Sequence, residues 1–350
     1  MIKFILSINR ARSVRNILFI LLIVPVFIFS CATSKVGKSG QQKIKSKTFV
    51  IIGASSGFGR GVAEELGLYG ANVVLAARRT ELLEEIATKI RATGGKAIVV
   101  TTDISNPQMV SRLADTAVKA FGKVDVWINS TGVGAIGRFW EIPLEDYSRL
   151  LDVNLKGIIY GSYTAVNLFR RQGYGVLINL GSIDSETPLA YQGVYAASKA
   201  GVRSLGESLN QELRLNGYKT IKVVTIEPWA VDSPWWGHAA NYSGGTPRMW
   251  SMDDPQKVVN AILRSSLRPR KELPVGWKAK ASYHFHHMLP HFTERLSAAV
   301  AQHYQIKTAP PAPGTDGTLY KPMQTGRGVS DGVRKRIKEE NKKRKREKRR

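Results

Sequence analysis

Tyr195 and Lys199 are two residues whose types and spacing could carry out proton transfer. Residues four apart on a helix share a face, so the phenol and the ammonium would be neighbours. A nearby cation favours the phenolate and lowers the pKa of a Tyr from about 10, so Tyr195 could exchange a proton near neutral pH. Alone, this spacing more often reflects a half-buried ring beside a solvated amine. Ser182 and Asn154, upstream in the sequence, strengthen the chemical interpretation.

A glycine cluster runs from Gly53 to Gly59, between an apolar run, 48–52, that predicts a strand and a segment, 57–69, that predicts a helix. In that position glycines permit a tight turn and close approach of the backbone to a pyrophosphate. The helix start adds free N–H groups and a positive dipole end. The cluster therefore predicts a dinucleotide phosphate site.

Arg78 and Arg79 follow the second predicted strand, where such folds usually place an acid that holds the ribose 2′-hydroxyl. Guanidinium groups chelate phosphate, so this position favours a 2′-phosphate and hence NADP(H) over NAD(H). The alternative is that one of the two, Arg79, merely faces solvent.

Strand and helix patterns alternate along the sequence from residue 47, which predicts an α/β fold with a doubly wound, Rossmann-type, mostly parallel sheet. Six strands are predicted at 48–52, 71–76, 96–100, 124–128, 175–180 and 221–226, and a seventh at 273–275. Helices are predicted between them, including one long helix over 144–171 and one over 194–216 that carries Tyr195.

Together these motifs resemble the short-chain dehydrogenase/reductase family over about 47–276, the predicted catalytic domain. Asp103 matches the family's adenine-contacting Asp, and Asn129 begins a segment that stands where the family usually has Asn-Asn-Ala-Gly. The catalytic tetrad of the family is matched by Asn154, Ser182, Tyr195 and Lys199. The chain departs from the family pattern at Ile52, Trp229 and Ser233.

The resemblance implies reduction of a carbonyl by NADPH or the reverse reaction. Tyr195 would be the general acid or base, Ser182 would bind the reacting oxygen, Lys199 would tune Tyr195, and Asn154 would hold a water. The residues expected to contact the cofactor are Gly53, Ser55, Ser56, Gly57, Phe58, Gly59, Arg78, Arg79, Asp103, Ile104, Asn129, Tyr195, Lys199, Pro228, Val231 and Ser233. The family also implies a possible homo-oligomer.

An aromatic segment follows the sixth predicted strand, on the side where such folds bind ligands. Trp229, Trp235 and Trp236 suggest a lid over an apolar substrate, and Trp140 is predicted to join that pocket. Ordinary packing of a long loop is the competing interpretation. Histidines at 284–291 indicate an amphipathic segment within 277–309 better than a metal site.

The first 32 residues predict contact with a membrane. Basic residues precede an apolar run, 17–29, that ends near Cys31, which is typical of a signal peptide or of an uncleaved anchor. A lipidated Cys31 would mean export, whereas a need for NADP(H) favours the cytoplasmic face of the membrane. Residues 33–46 predict a flexible basic linker.

The net charge of +25 is unevenly distributed along the chain. Residues 334–350 contain twelve Lys or Arg against three Glu, a net of +9, and this segment is expected to be disordered or loosely helical. Residues 310–350 as a whole predict a disordered Pro/Gly-rich, then polybasic tail. Without an accompanying motif, this tail favours an anionic lipid or no specific partner over nucleic acid. The alternative to an enzyme is a catalytically silent, membrane-tethered NADP(H)-binding sensor or scaffold.

Overall fold

The computed structural model describes residues 33–347. Seven strands form one sheet in the order β3-β2-β1-β4-β6-β7-β9, and all neighbouring strands in it are parallel. β5 and β8 form a separate parallel pair. The strands are β1 (Thr48–Ile52), β2 (Asn72–Ala77), β3 (Lys96–Thr101), β4 (Val126–Asn129), β5 (Ala135–Ile136), β6 (Gly175–Leu180), β7 (Ile221–Pro228), β8 (Ala240–Asn241) and β9 (Glu272–Val275).

Helices cover both faces of the large sheet, which confirms the predicted doubly wound, seven-stranded fold. The α-helices are α1 (Lys38–Ile44), α2 (Gly57–Leu68), α3 (Thr80–Ala92), α4 (Pro107–Phe121), α5 (Leu144–Leu151), α6 (Gly157–Gln172), α7 (Gly193–Leu215), α8 (Trp235–His238), α9 (Gln256–Ser265), α10 (Gly276–Met288), α11 (Pro290–Ala301) and α12 (Val333–Glu347).

The core has two apolar layers, one on each side of the sheet. Phe49 and Ile51 of β1 point into the layer that α2, α3 and α9 cover, whereas Val50 and Ile52 point into the layer beneath α4, α6 and α7. This alternation is the two-residue period of a strand buried on both faces. The carboxyl ends of the central strands are thereby held at one edge.

The predicted helix over 144–171 is interrupted. α5 and α6 are joined by a π-helical turn, Asp152–Lys156, which contains Asn154. Single π turns inserted in α-helices are frequent at functional sites. Here the turn allows the Asn154 side chain to bond both the N–H and the carbonyl of Val133, at 2.8 and 2.9 Å.

The predicted flexible linker over 33–46 is instead packed against the domain. It contains α1, whose Ile44 is fully buried, and Val36 is 4% exposed. Asn260 of α9 also donates to the carbonyl of Thr33 at 2.9 Å. The linker prediction followed the basic composition and missed two buried apolar residues, Val36 and Ile44, eight positions apart.

The predicted disorder of 310–333 is also wrong, whereas 334–347 are helical, which is the alternative predicted for the basic part of the tail. Residues 318–328, here called the C-terminal strap, cross the carboxyl edge of the sheet. α12 follows, with Val333 buried and its N–H bonded to Asp232 at 2.8 Å. Val333 and Ile337 anchor this basic helix on the cluster around Trp236.

The extension over 277–309 forms α10 and α11 and ends in a π-helical segment, Gln302–Lys307. Several of its large apolar side chains face solvent, namely Trp277, Phe285, Met288, Leu289, Phe292 and Leu296. Within residues 33–347 no helix is long and apolar enough to cross a membrane. The predicted signal or anchor segment, with Cys31, lies outside the described residues.

Candidate active site

The first turns of α7 place Tyr195 and Lys199 at the carboxyl edge of the sheet. Lys199 is 3% exposed, and its Nζ donates to the carbonyl of Leu180, at the end of β6, at 2.7 Å. The same Nζ lies 5.8 Å from the centre of the Tyr195 ring. The two side chains are therefore neighbours, as the four-residue spacing predicts.

The protonation of this pair differs from the expectation. Burial raises the pKa of Tyr195 above its ordinary value, the charge of Asp184 raises it further, and a hydrogen bond with Ser182 opposes both. Burial lowers the pKa of Lys199 to about 8, against the opposing effect of Asp184. Lys199 thus does not bring the Tyr195 phenol to a neutral pKa in this state, and Tyr195 stays protonated at neutral pH.

Ser182 begins a short 3₁₀ turn, Ile183–Ser185, immediately after β6. Its hydroxyl accepts a hydrogen bond from the N–H of Asp184 at 3.1 Å. The turn holds Ser182 beside Tyr195, so both hydroxyls are presented to the same region. Two hydroxyl groups in this arrangement can bind one carbonyl oxygen and supply it with a proton.

Asn154 is fully buried behind this pair. Besides its two bonds to Val133, its amide lies 3.3 Å from the hydroxyl of Ser198 on α7. The side chain therefore fixes the loop after β4 against the catalytic helix. The water that the resemblance assigns to Asn154 remains a prediction.

The glycine cluster has the backbone geometry that its sequence predicts. Gly53 has φ +92° and Gly57 has φ +58°, a region that favours glycine. A Cβ on Gly59 would lie 2.2 Å from the carbonyl oxygen of Gly53, so only glycine lets α2 pack this closely on the loop. Ser55, Ser56, Gly57 and Phe58 line the resulting cleft.

Arg78 and Arg79 both line this cleft, and both are bound by the C-terminal strap. Arg78 donates to the carbonyls of Thr318 and Tyr320 at 2.7 and 3.0 Å. Arg79 donates to the carbonyl of Met323 at 3.1 Å. It also donates to the hydroxyls of Ser55 and Ser56, at 3.1 and 2.7 Å, so it does not face solvent.

Neither guanidinium group is hydrogen-bonded to an anion among the described residues, although the charge of Asp103 acts on Arg78. Within residues 33–347 all the hydrogen bonds of Arg78 and Arg79 go to neutral oxygens. Burial lowers the pKa of Arg79, and so does repulsion from Arg78, Arg327 and Arg60. An anion bound among these groups would relieve that repulsion.

Asp103 and Ile104 lie in the cleft wall after β3, as predicted. Asp103 is held by Ser105 and by Arg149, whose Nη2 lies 2.9 Å from the carboxylate. Burial tends to raise the pKa of Asp103, but these hydrogen bonds hold it below its ordinary value. The carboxylate is therefore charged and fixed in position.

Asn129 is not in the cleft wall, contrary to the prediction. It is fully buried, accepts from Trp127 at 2.9 Å and donates to Asn179 of β6 at 2.8 Å. Its side chain lies on the same face of β4 as Trp127, two residues earlier, and is bonded to the neighbouring strand β6. Its neighbour Ser130 lines the cleft instead, and the hydroxyl of Ser130 is buried without a hydrogen-bond partner in the part of the chain that the structure describes.

The cleft suits a dinucleotide in its chemistry. It combines a glycine loop, the start of α2, the Ser130 hydroxyl and two arginines that are hydrogen-bonded to no anion within residues 33–347. Its volume of about 180 Å³ is below the roughly 300–1,000 Å³ of typical ligand clefts. The strap residues Thr318, Pro322 and Met323 form part of its wall, so movement of the strap would enlarge it.

A second pocket of about 120 Å³ adjoins the cleft at Tyr195. Trp229, Trp235 and Trp236 line it, and the Trp235 ring lies 5.2 Å from that of Tyr195. Pro228 and Val231 also line this pocket rather than the cleft, whereas Ser233 lines both.

Trp140 does not join either space. Its side chain is 80% exposed in a short 3₁₀ turn, Phe139–Glu141, on the outer surface. The prediction placed it in the pocket from its position after the fourth strand, but the loop turns outward there.

Several site residues escaped the sequence analysis, among them the strap residues, Ser130, His238, Asp184 and Gln192. Asp184 stands two residues after Ser182, and Gln192 three before Tyr195, so proximity to the tetrad was an available signal. The sequence contains no such signal for the strap, because the strap contacts Arg78 and Arg79 through main-chain carbonyls.

Comparisons with known proteins agree with this geometry. The family model described as short chain dehydrogenase matches residues 47–241, more than half of the chain. An uncharacterized oxidoreductase of Bacillus subtilis strain 168, YxnA, is 32% identical over 293 residues, covering 83% of this chain and 81% of the relative. An uncharacterized oxidoreductase of Staphylococcus aureus strain USA300 is 31% identical over 227 residues, covering 65% of this chain and 94% of the relative.

Solved structures share the same fold. An alcohol dehydrogenase from the archaeon Thermococcus sibiricus, complexed with 5-hydroxy-NADP, is 26% identical with a TM-score of 0.57, covering 66% of this chain and 94% of that one. A short-chain dehydrogenase/reductase from Burkholderia phymatum, in complex with NAD, is 30% identical with a TM-score of 0.54, covering 70% and 87%. These two neighbours bind different nicotinamide cofactors.

Proposed function

We propose that this chain interconverts a carbonyl and a secondary alcohol with NADP(H). The chain belongs to the short-chain dehydrogenase family and is an oxidoreductase acting on CH–OH groups. The observation that carries the proposal is the junction at Tyr195. There the cleft that contains the glycine loop meets the tryptophan-lined pocket, and Ser182 and Lys199 lie on either side of Tyr195.

The nicotinamide, when bound, supplies or accepts the hydride. The chain's own residues manage the proton and the oxygen. Ser182 and Tyr195 bind the reacting oxygen, and Tyr195 donates its proton as charge develops there. Because burial and Asp184 keep Tyr195 protonated at neutral pH, the resting site is prepared for carbonyl reduction. Alcohol oxidation would need the phenolate and hence a higher pH.

The choice of NADP(H) over NAD(H) rests on the arginines. Arg78 and Arg79 present guanidinium groups to the cleft without a carboxylate partner among the described residues. A 2′-phosphate would supply the missing negative charge and replace neutral carbonyl acceptors with a charged one. The charge of Asp103 acts on Arg78, but its carboxylate is bonded to Arg149 rather than to Arg78 or Arg79.

The test is NADPH oxidation by the full chain with a panel of apolar ketones and aldehydes, using Tyr195→Phe as the diagnostic variant. General acid catalysis contributes roughly 10²- to 10⁴-fold, so kcat should fall at least a hundredfold. Tyr163→Phe is the matched control, because Tyr163 is 72% exposed on α6. Full turnover by Tyr195→Phe would refute the assignment. Tight NADPH binding with no turnover on any substrate would instead favour the silent sensor or scaffold.

We also propose that the protein is membrane-associated, facing the cytoplasm. The apolar run at 17–29, the net charge of +25 and the exposed apolar residues of α10 and α11 support this location. Mass spectrometry of the mature N-terminus tests it: an intact Met1 segment agrees with a cytoplasm-facing anchor, and a diacylated Cys31 would mean export.

A further inference from the structure

The hairpin formed by α10 and α11 exposes large apolar side chains around its turn. Phe285 and Met288 lie three residues apart on α10, and Phe292 and Leu296 lie four apart on α11, so each pair shares a helix face. Together with Leu289 between the helices, these residues are each at least half exposed and are here called the apolar tip. Exposed apolar side chains grouped in this way mark an interaction site.

The hairpin that carries the apolar tip is itself firmly packed. Ala279 on α10 and Thr293 on α11 are buried against the domain. Nδ1 of His286 lies 2.9 Å from the Thr293 hydroxyl, which joins the two helices. At the base of the hairpin, Nζ of Lys278 donates to the carboxylate of Asp253 at 2.9 Å. The hairpin therefore holds the apolar tip in a fixed position on the domain.

A basic groove runs between the hairpin and α12. It consists of two adjoining surface pockets that share Met249 and Arg334. Arg334, Lys338 and Lys342 line it from α12, and their spacing of four residues places them on one face of that helix. Among the ion pairs formed within residues 33–347, none involves these three cations. The groove thus presents uncompensated positive charge beside the hairpin.

Two exposed tryptophans lie along the basic groove. Trp277, at the start of α10, and Trp250 are each at least half exposed. Tryptophan rings concentrate at membrane interfaces, where the ring meets lipid and the N–H meets water. The acidic residues Asp253 and Asp254 line the part of the groove beside Trp277, and Asp253 is paired there with two lysines of the groove. The part that α12 lines remains basic.

The charge of this region favours an anionic lipid surface over a second copy of the chain. Residues 276–307 contain four Lys or Arg and a single carboxylate, Glu294. In a two-fold dimer the same surface of each copy meets the other, so these cations would face their own kind. An anionic bilayer instead offers acyl chains to the apolar tip and phosphates to the cations of α12.

The described chain also begins on this side of the domain. Asn260 on α9 donates to the carbonyl of Thr33 at 2.9 Å, and it lies one helical turn after Lys257, which lines the groove. In the sequence, the apolar run 17–29 ends four residues before Thr33. The predicted N-terminal membrane segment thus joins the domain beside the basic groove.

We propose that the α10–α11 hairpin inserts the apolar tip into the surface of an anionic bilayer, where the three cations of α12 contact lipid phosphates. This inference rests on the proposed membrane association and names a surface that acts in addition to the N-terminal segment. The two tryptophans of the groove lie at headgroup depth. Met249 lines both the groove and the pocket beside Tyr195, so docking brings that pocket close to the lipid.

The test places a fluorophore beside the apolar tip of the full chain. Cys31→Ser removes the single cysteine, and His291→Cys, at an almost fully exposed position, is then labelled with an NBD group. On vesicles of phosphatidylcholine with phosphatidylglycerol, its emission should shift to shorter wavelength and be quenched by doxyl-labelled acyl chains. Vesicles of phosphatidylcholine alone should produce smaller changes. The same label at Asp115→Cys, exposed on α4, should show neither change.

Two substitutions separate the apolar and the charged contributions. Leu289→Ser should lower the ratio of inserted to free tip about tenfold, the factor expected for one leucine side chain. Leu68→Ser, exposed at the end of α2, is its matched control. Lys338→Gln should lower the ratio about fivefold, and on vesicles with phosphatidylglycerol only. Lys119→Gln, exposed on α4, should leave it unchanged.

Flotation of the same vesicles separates the possible failures. If the protein floats with the vesicles but the label at residue 291 does not respond, the hairpin is not the docking surface, although the N-terminal segment can still hold the membrane. Absence of flotation refutes the membrane association as well. A shift that appears without lipid as protein concentration rises identifies a second copy as the occupant. Equal responses on the two kinds of vesicle overturn the role of the basic groove. Ketone turnover enters none of these readouts, so failure of the proposed reaction is seen separately.

Discussion

Arg78 donates a hydrogen bond to the main-chain carbonyl of Thr318 at 2.7 Å, which ties the end of β2 to a segment 240 residues later in the chain. The same guanidinium is one of the two that we propose bind the 2′-phosphate of NADP(H). The C-terminal strap therefore occupies the donors that the proposed cofactor needs. Cofactor choice, strap movement and the charges buried near the site lead to separate predictions.

Arg79→Ala is expected to change cofactor preference. A charge-assisted hydrogen bond contributes about 1.5–3 kcal/mol, so kcat/KM for NADPH should fall roughly ten- to a hundredfold while that for NADH changes much less. Steady-state kinetics with both cofactors measure this ratio. Arg214→Ala, at the far end of α7, is the control. An equal loss with NADH and NADPH would show that Arg79 only holds the strap and the loop.

Gly326→Ala is expected to loosen the strap. Gly326 has φ +62°, and a Cβ there would lie 2.4 Å from Nε2 of His238, so alanine would be strained and would clash. A penalty of one or two kcal/mol on the strap conformation described here would lower the ratio of bound to detached strap about five- to thirtyfold. NADPH association and dissociation, followed by stopped-flow fluorescence, should both become faster by a similar factor.

Gly314→Ala is the matched control, since its added Cβ would make only an ordinary contact 3.6 Å from the carbonyl oxygen of Asn241. Unchanged NADPH kinetics in Gly326→Ala, with the fold intact, would mean that the strap is a fixed wall rather than a moving one.

Glu227→Gln is expected to stabilise the protein at alkaline pH. Glu227 is fully buried at the end of β7, neither carboxylate oxygen has a hydrogen-bond partner among the described residues, and burial raises its pKa to about 7. In the unfolded chain the group ionises near pH 4.5. Folding stability is therefore lost as pH rises from about 4.5 to 7, and the full cost persists above pH 7.

The variant removes this cost, so its free energy of unfolding at pH 8 should be higher by about 3 kcal/mol, at about 1.4 kcal/mol per pKa unit. The gain should vanish below about pH 4.5. Urea unfolding at pH 4, 6 and 8 measures it. Glu84→Gln, whose side chain is 54% exposed, should change stability by less than about 0.5 kcal/mol throughout. A destabilised Glu227→Gln at pH 8 would show that pairing with Arg203, 3.8 Å away, outweighs burial.

The sequence by itself determined the sheet and the location of the chemistry. Apolar runs of strand length that alternate with helical patterns specify a parallel sheet, because both faces of each strand must be covered. The glycine loop and the spacing of Tyr195 and Lys199 are local features, set by the turn and by one helix. Such short-range relations are visible as residue types at fixed separations.

Only the tertiary structure decided which side chains share a space. The direction of Asn129, the exposure of Trp140 and the placement of Asp184 and Gln192 in one pocket depend on how loops leave the sheet. The strap is the clearest case. Its contacts with Arg78 and Arg79 use main-chain carbonyls, which every residue has. The residue types in 318–328 therefore do not predict these contacts.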